Sequence, residues 1–175
     1  MRGAKYEMDI YRRQNSGRRG GFSLIEVLIA MLLTTLAIVS LIIANSAFTK
    51  ANDAGVDLST AEFLIEQIRE LTTLLATVDP ESSVSTFGPE TGETLASYDD
   101  LDDFDGAIFS PPISADRSPL NNFATFTQQV TVENVSASDF EQVVSDHGSL
   151  FIRVTVKIFL NSKEIDSGCW LRARY

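Results

Sequence analysis

The chain has 175 residues and a formal net charge of −10, and that charge is divided along it. Residues 1–21 hold six Lys/Arg and two acidic residues, a balance of +4, whereas the remainder holds eight and 22, a balance of −14. This length allows one modest domain beyond a membrane segment, the acidic remainder excludes a phosphate-gripping nucleic-acid binder, and the single cysteine, Cys169, excludes an intrachain disulfide.

Residues 1–17 show no periodicity. Arg18-Arg19-Gly20-Gly21 then leads into an apolar run from Phe22 to Ala47. Between Leu24 and Ala44 its only charge is Glu26, and its polar members are Thr34, Thr35 and Ser40. The run meets the length of about 20 residues that a membrane-spanning helix needs. Basic residues ahead of an apolar span stay cytoplasmic, so Arg12, Arg13, Arg18 and Arg19 place the N-terminus inside and export the acidic part. Glu26 is the anomaly, because an acidic side chain at the bilayer centre costs on the order of 2.5–3.5 kcal/mol. Its nearest candidate partner is a free amine at Phe22, created if the chain is cut after Gly21. An ordinary signal peptide has an apolar region of about 7–15 residues, shorter than this one. A simple anchor needs neither Gly21 nor Glu26.

Gly21-Phe22-Ser23-Leu24-Ile25-Glu26-Val27-Leu28-Ile29-Ala30 resembles the processing and methylation segment of the type IV pilin superfamily, which includes the pilins and the type II secretion pseudopilins. The resemblance is close over residues 18–47 and architectural beyond them. It implies cleavage between Gly21 and Phe22 by a prepilin peptidase, N-methylation of Phe22, and use of Glu26 in assembly. It further implies a non-enzymatic subunit held first in the lipid of a bacterial inner membrane, and an inner-membrane assembly platform. The other pilin or pseudopilin subunits of a pilus or periplasmic pseudopilus would then be its partners. Many major pilins close a C-terminal loop with a disulfide. The single cysteine departs from that pattern and favours a minor pilin or a pseudopilin. The alternative from another class is an anchored, exported binding module that does not polymerise.

Past the membrane segment, Ala51, Ala54, Leu58, Ala61, Ile65, Ile68 and Leu75 recur at helical spacings, widened by Leu64 and Leu71. This predicts one amphipathic continuation, ending near Val78 ahead of Pro80, for a helix about 85 Å long. Residues 79–122 are punctuated by Pro and Gly and read as a long acidic connection. Phe126, Val130 and Val132 mark a strand from about Phe123 to Val135. Ser138-Asp139-Phe140-Glu141 has capping-box spacing and suggests a short helix through Val144. Strict alternation from Leu150 to Leu160 predicts a strong strand, followed by a turn at Asn161-Ser162-Lys163 and a last strand over Ile165–Tyr175. The dry face of the helix and the apolar face of the sheet need each other, which makes the fold α+β: a long N-terminal helix packed on a C-terminal antiparallel sheet. The organisation expected is a leader over 1–21, a transmembrane and assembly helix over 22–47 and an amphipathic helix over 48–78. The acidic Pro/Gly-rich region over 79–122 and the sheet over 123–175 complete it.

No nucleophile motif, phosphate loop or metal-spaced Cys/His set is present. His147 reads as a solvated turn histidine and Cys169 as a small buried strand residue. No cofactor is called for, with one opening. Asp99, Asp100, Asp102, Asp103 and Asp105 place five carboxylates in seven residues before Gly106. Oxygen-rich clusters suit Ca²⁺, although Leu101 breaks the EF-hand spacing. The competing reading is a solvated acidic loop.

Overall fold

The computed structural model describes residues 20–79 and 86–174. One helix, α1 (Leu24–Thr73), is followed by four strands, β1 (Ile108–Phe109), β2 (Phe126–Val135), β3 (Phe151–Leu160) and β4 (Lys163–Ala173). The strands form one antiparallel sheet in the order β1-β2-β3-β4. The fold is therefore the expected α+β arrangement of one long helix and an antiparallel sheet. The chain divides into two units within α1, between Thr49 and Lys50.

In the first unit, every residue from Gly20 to Thr49 is exposed. The hydroxyls of Thr34, Thr35 and Ser40 donate to the carbonyls of Ala30, Met31 and Leu36 at 2.7–2.9 Å. The hydroxyls between Leu24 and Ala44 are thus all paired within the helix, as a hydrocarbon environment demands.

In the second unit, α1 buries Ala61, Leu64, Ile65, Ile68 and Leu71 in one cluster with Phe126, Val130, Val132, Ile152, Val154, Val156 and Ile158 of the sheet. These are the period-two faces of β2 and β3. The expected helical stripe began at Ala51, but Ala51, Ala54 and Leu58 are exposed and burial starts at Ala61. The helix also ends earlier than Val78. Arg172, on β4, donates to the carbonyls of Thr72, Thr73 and Leu75 at 2.7, 3.0 and 3.2 Å. No basic residue stands in the helix's own last turn, so a strand residue supplies the cation that a helix C-terminus favours. Pro80 lies outside the described residues.

Gly168, also on β4, sets how closely the helix approaches. A Cβ there would stand 2.7 Å from Ile65 Cγ2, a buried atom one bond from the Ile65 Cβ. Gly168→Ala is expected to cost about 1–3 kcal/mol by overpacking. Thermal melts alongside the Ile65→Ala/Gly168→Ala pair, which lacks Cγ2, check this: an equal loss from Gly168→Ala with and without Ile65→Ala would show that the contact is not responsible.

The register of β4 corrects the expectation for Cys169. Val154 pairs with Trp170, Val156 with Gly168 and Ile152 with Arg172, so the even-numbered residues from Gly168 to Arg172 face α1. Trp170 takes the Arg69 guanidinium over its ring at 5.0 Å, and Cys169 is exposed on the other face. Between β3 and β4, Asn161 and Ser162 both have positive φ, 49° and 68°, as a two-residue type I′ hairpin turn requires. The short helix expected near Ser138–Val144 is absent. That segment folds back instead, with Ser136 N–H donating to Gln142 O and Val135 bridging Val143.

Candidate functional site

The first candidate site is the start of α1. Ser23 caps it: the Glu26 N–H donates to Ser23 Oγ at 3.2 Å and to Ser23 O at 3.1 Å. Ser23 and Glu26 therefore occupy the N-cap and N3 positions of a capping-box pattern, a local role for Glu26 that the sequence reading missed although Ser-x-x-Glu was legible. A carboxylate in the first turn also suits the positive end of the helix dipole. Gly21 and Phe22 precede the helix and are exposed, Phe22 at 83%. Phe22, Glu26, Ala30 and Thr34 follow at four-residue spacing and form one stripe on its surface. The lead-in through Arg19 lies outside the described residues.

The second candidate lies in the segment ahead of the sheet. A turn closes from Glu93 N–H to Glu90 O at 3.1 Å, and a 3-10 turn spans Asp102–Phe104. Leu101 and Phe104 are fully buried in the core, and Tyr98 meets the Phe104 ring edge-on at 5.2 Å. This segment is therefore packed rather than solvated. Arg117 holds it from outside, donating to the carbonyls of Leu95, Ala96 and Tyr98 at 2.6–2.9 Å.

Burying Leu101 and Phe104 carries neighbouring carboxylates inward. Asp100, Asp102 and Asp103 are only 1–2% exposed. Asp103 Oδ2 accepts the N–H groups of Asp99 and Asp100, at 3.0 and 3.2 Å, and Asp100 Oδ1 accepts the Asp103 N–H. Asp102 Oδ2 accepts the Gly88 N–H at 3.3 Å. Asp105 accepts the Val132 N–H at 2.9 Å, which ties the segment to β2, and Asp99 is exposed. Gly106 turns the chain with φ 69°.

Asp103 also stands with two residues the sequence reading did not single out. Glu90, Glu93 and Asp103 can each offer one oxygen, and these oxygens lie within 4.8 Å of one another. The Glu90-x-x-Glu93 spacing was visible, but nothing in it reveals a meeting with Asp103. Burial, reinforced by the neighbouring Asp102 carboxylate, pushes the Asp100 pKa up to about 7. Burial likewise raises Asp103 to about 6 and also raises Asp102. Glu90 is raised to about 7, chiefly by its hydrogen bond with the Glu93 side chain. Glu93 is lowered, chiefly by accepting the Glu90 N–H at 3.0 Å.

The remaining candidates do not assemble. His147 is half-buried rather than solvated, its ring edge-on to Phe87 at 5.6 Å and its backbone N–H donating to Asn134 Oδ1. Cys169 is on the outer face of β4.

The helix α1 is long and apolar enough to cross a membrane. The family model for the prokaryotic N-terminal methylation motif matches residues 16–44, which takes in Gly21, Phe22 and Glu26. No curated protein and no solved structure matches the chain. That motif and the apolar helix suit a membrane-anchored, exported protein. The chain carries the signature of the type IV pilins and pseudopilins, structural subunits that a prepilin peptidase processes and that assemble with other pilins.

Proposed function

We propose that the chain is a minor subunit of a type IV pilus, cut between Gly21 and Phe22, methylated on Phe22, and drawn from the inner membrane into the filament through α1. The observation that carries this is an apolar half-helix exposed over its whole length, with one carboxylate a turn from the end that cleavage would create. Such a surface has two low-energy environments: lipid before assembly, and the apolar helices of neighbouring subunits afterwards. In the second, Glu26 of one subunit can meet the Phe22 amine of the next. The single cysteine supports a minor role over that of a disulfide-looped major pilin.

Glu26→Val tests the assembly role. The N–H bond to Ser23 Oγ is a backbone bond and survives, so α1 keeps its cap. Insertion becomes easier because the charge is gone. The amine of the neighbour, however, loses its partner in an apolar setting, a loss of roughly 3 kcal/mol or about a hundredfold in incorporation. Quantifying the variant beside wild-type subunits in sheared filaments decides it, and equal incorporation would refute the pairing. The same fractionation separates the pilus from a type II pseudopilus. In the latter the protein stays with the inner membrane, and its deletion stops export of folded enzymes.

A further inference from the structure

We propose that the outer edge of β4, from Cys169 to Ala173, is a docking site for an extended strand of a partner protein, one that alternates acidic and apolar residues.

The ladder fixes which backbone groups point outward. The Arg174 N–H donates to Leu150 O at 2.8 Å, continuing the register that pairs Phe151 with Ala173 and Ile152 with Arg172. Hydrogen-bonded and non-hydrogen-bonded pairs alternate along an antiparallel ladder. Gly168, Trp170 and Arg172 therefore spend their backbone groups on β3, as Arg174 does. Ser167, Cys169, Leu171 and Ala173 turn theirs to the edge. Ser167 is capped locally, its N–H donating to Asp166 Oδ1 at 2.8 Å. The N–H groups of Cys169, Leu171 and Ala173 have no partner among the described residues.

The opposite edge of the sheet is closed. β1 pairs with β2 at Gln128 and Gln129. Beyond it, the Val130 N–H donates to Ala107 O, the Val132 N–H to Asp105 Oδ1, and Asn134 O accepts the Val144 N–H. Proteins normally blunt an open edge with charges or bulges. The first half of β4 has both: Lys163, Glu164 and Asp166, and a bulge opposite Ile158 and Phe159. The next stretch, Ser167-Gly168-Cys169-Trp170-Leu171, has no charge and no proline. An uncharged strand edge with free amides is what strand addition uses.

The side chains flanking this edge specify the occupant. Leu171, 43% exposed, and the exposed Cys169 and Ala173 lie on the outer face. Trp170 and Arg172 lie on the α1 side, with the exposed Arg174 one pair further, and no acidic residue follows Asp166. The Arg172 guanidinium is held at the end of α1, so its charge is fixed beside the edge. Successive residues of an added strand point to opposite faces. Those beside Leu171 and Ala173 are then apolar, and those beside Arg172 and Arg174 acidic. A second copy's β4 does not fit. Parallel pairing in register stacks Arg172 on Arg172. Ile65 and Thr72 of α1 meet Gly168 and Arg172 in turn, so α1 and β4 run the same way. Antiparallel pairing would thus oppose the two α1 helices, against their reading as anchors in one membrane.

The test uses the full chain in detergent and two fluorescein-labelled nonapeptides, one alternating glutamate with valine, the other lysine with valine. Anisotropy should show saturable binding of the glutamate peptide, about tenfold or more tighter than the lysine peptide. Leu171→Pro removes one outward N–H and leaves the ladder to β3 intact, because proline is tolerated where that position faces away from the sheet. It should melt with wild type and bind the glutamate peptide about tenfold more weakly. Arg174→Glu should abolish the preference between the peptides, and covers the case in which the proline variant misfolds. No saturable binding by wild type, equal binding of both peptides, or unaltered binding by a normally melting Leu171→Pro would each overturn the assignment. So would self-association of wild type that Leu171→Pro abolishes and neither peptide competes away, which would give the edge to a second copy.

Discussion

Gly21→Leu is expected to leave the precursor uncut, with no detectable mature form. The proposed scissile bond, Gly21–Phe22, lies just outside α1, which begins at Leu24 and is capped by Ser23. Gly20 and Gly21 have no atoms within 4 Å of where a Cβ would sit, and neither requires a left-handed backbone. The chain's own fold therefore places no demand for glycine at either position. The demand comes from outside: a peptidase must close on an extended backbone, and a glycine lets it approach without side-chain obstruction. A leucine supplies a branched side chain at that point while leaving the capped helix as it is, so the variant should insert normally and fail only at cleavage. Failure should then be complete for assembly as well. The uncut chain keeps Arg18 and Arg19 ahead of the apolar run, and drawing such charges into hydrocarbon costs several kcal/mol. Intact-mass measurement of membrane-extracted protein decides the point. Wild type should begin at Phe22 with one added methyl group, and a mature chain beginning anywhere else would sink the assignment.

What the sequence made legible follows from how each signal is written. The apolar run and its lone Glu26 are contiguous, so both the helix and the methylation motif could be read directly. The alternation of β3 is likewise local, and Ile152, Val154, Val156 and Ile158 are all buried as period two requires. Features that depend on distant partners were not legible. The end of α1 is set by Arg172, about 100 residues away, so the helical pattern alone overran it. Cys169 looked like a buried strand residue because Cys is often buried, but the close approach at Gly168 decides which face of β4 meets the helix. The acidic segment was read from Asp99 to Asp105 because those residues adjoin, whereas the trio drawn together around Asp103 recruits Glu90 and Glu93 from a turn ten or more residues earlier.

Gln128 shows the same limit and carries the largest expected stability effect. Its place was predictable: it falls between Phe126 and Val130 on the inner face of β2, and it is fully buried. Its purpose was not. The Nε2 group donates to Leu64 O on α1 at 2.9 Å and to Ile113 O at 3.2 Å, while Oε1 accepts the Ile113 N–H at 2.7 Å. One side chain thus ties helix, sheet and the connection ahead of β2. Gln128→Leu keeps most of the volume but strands the Ile113 N–H and C=O. Each buried group left unpaired costs about 1–3 kcal/mol, so a loss of about 3 kcal/mol is expected, a melting temperature lower by roughly 10 °C. Gln128→Glu separates lost packing from lost donors. Its oxygen can still accept from Ile113, but an ionised carboxylate has no proton to give to Leu64 O or Ile113 O. Acid restores one donor, so this variant should regain part of its stability, relative to wild type at the same pH, as the solution is taken down through its raised pKa. Gln128→Leu should show no such recovery relative to wild type. Melts of all three proteins at neutral and mildly acidic pH make the comparison. If Gln128→Leu melted with wild type, the connection over residues 110–120 would be held by its apolar contacts, Ile113 among them, and not by this amide.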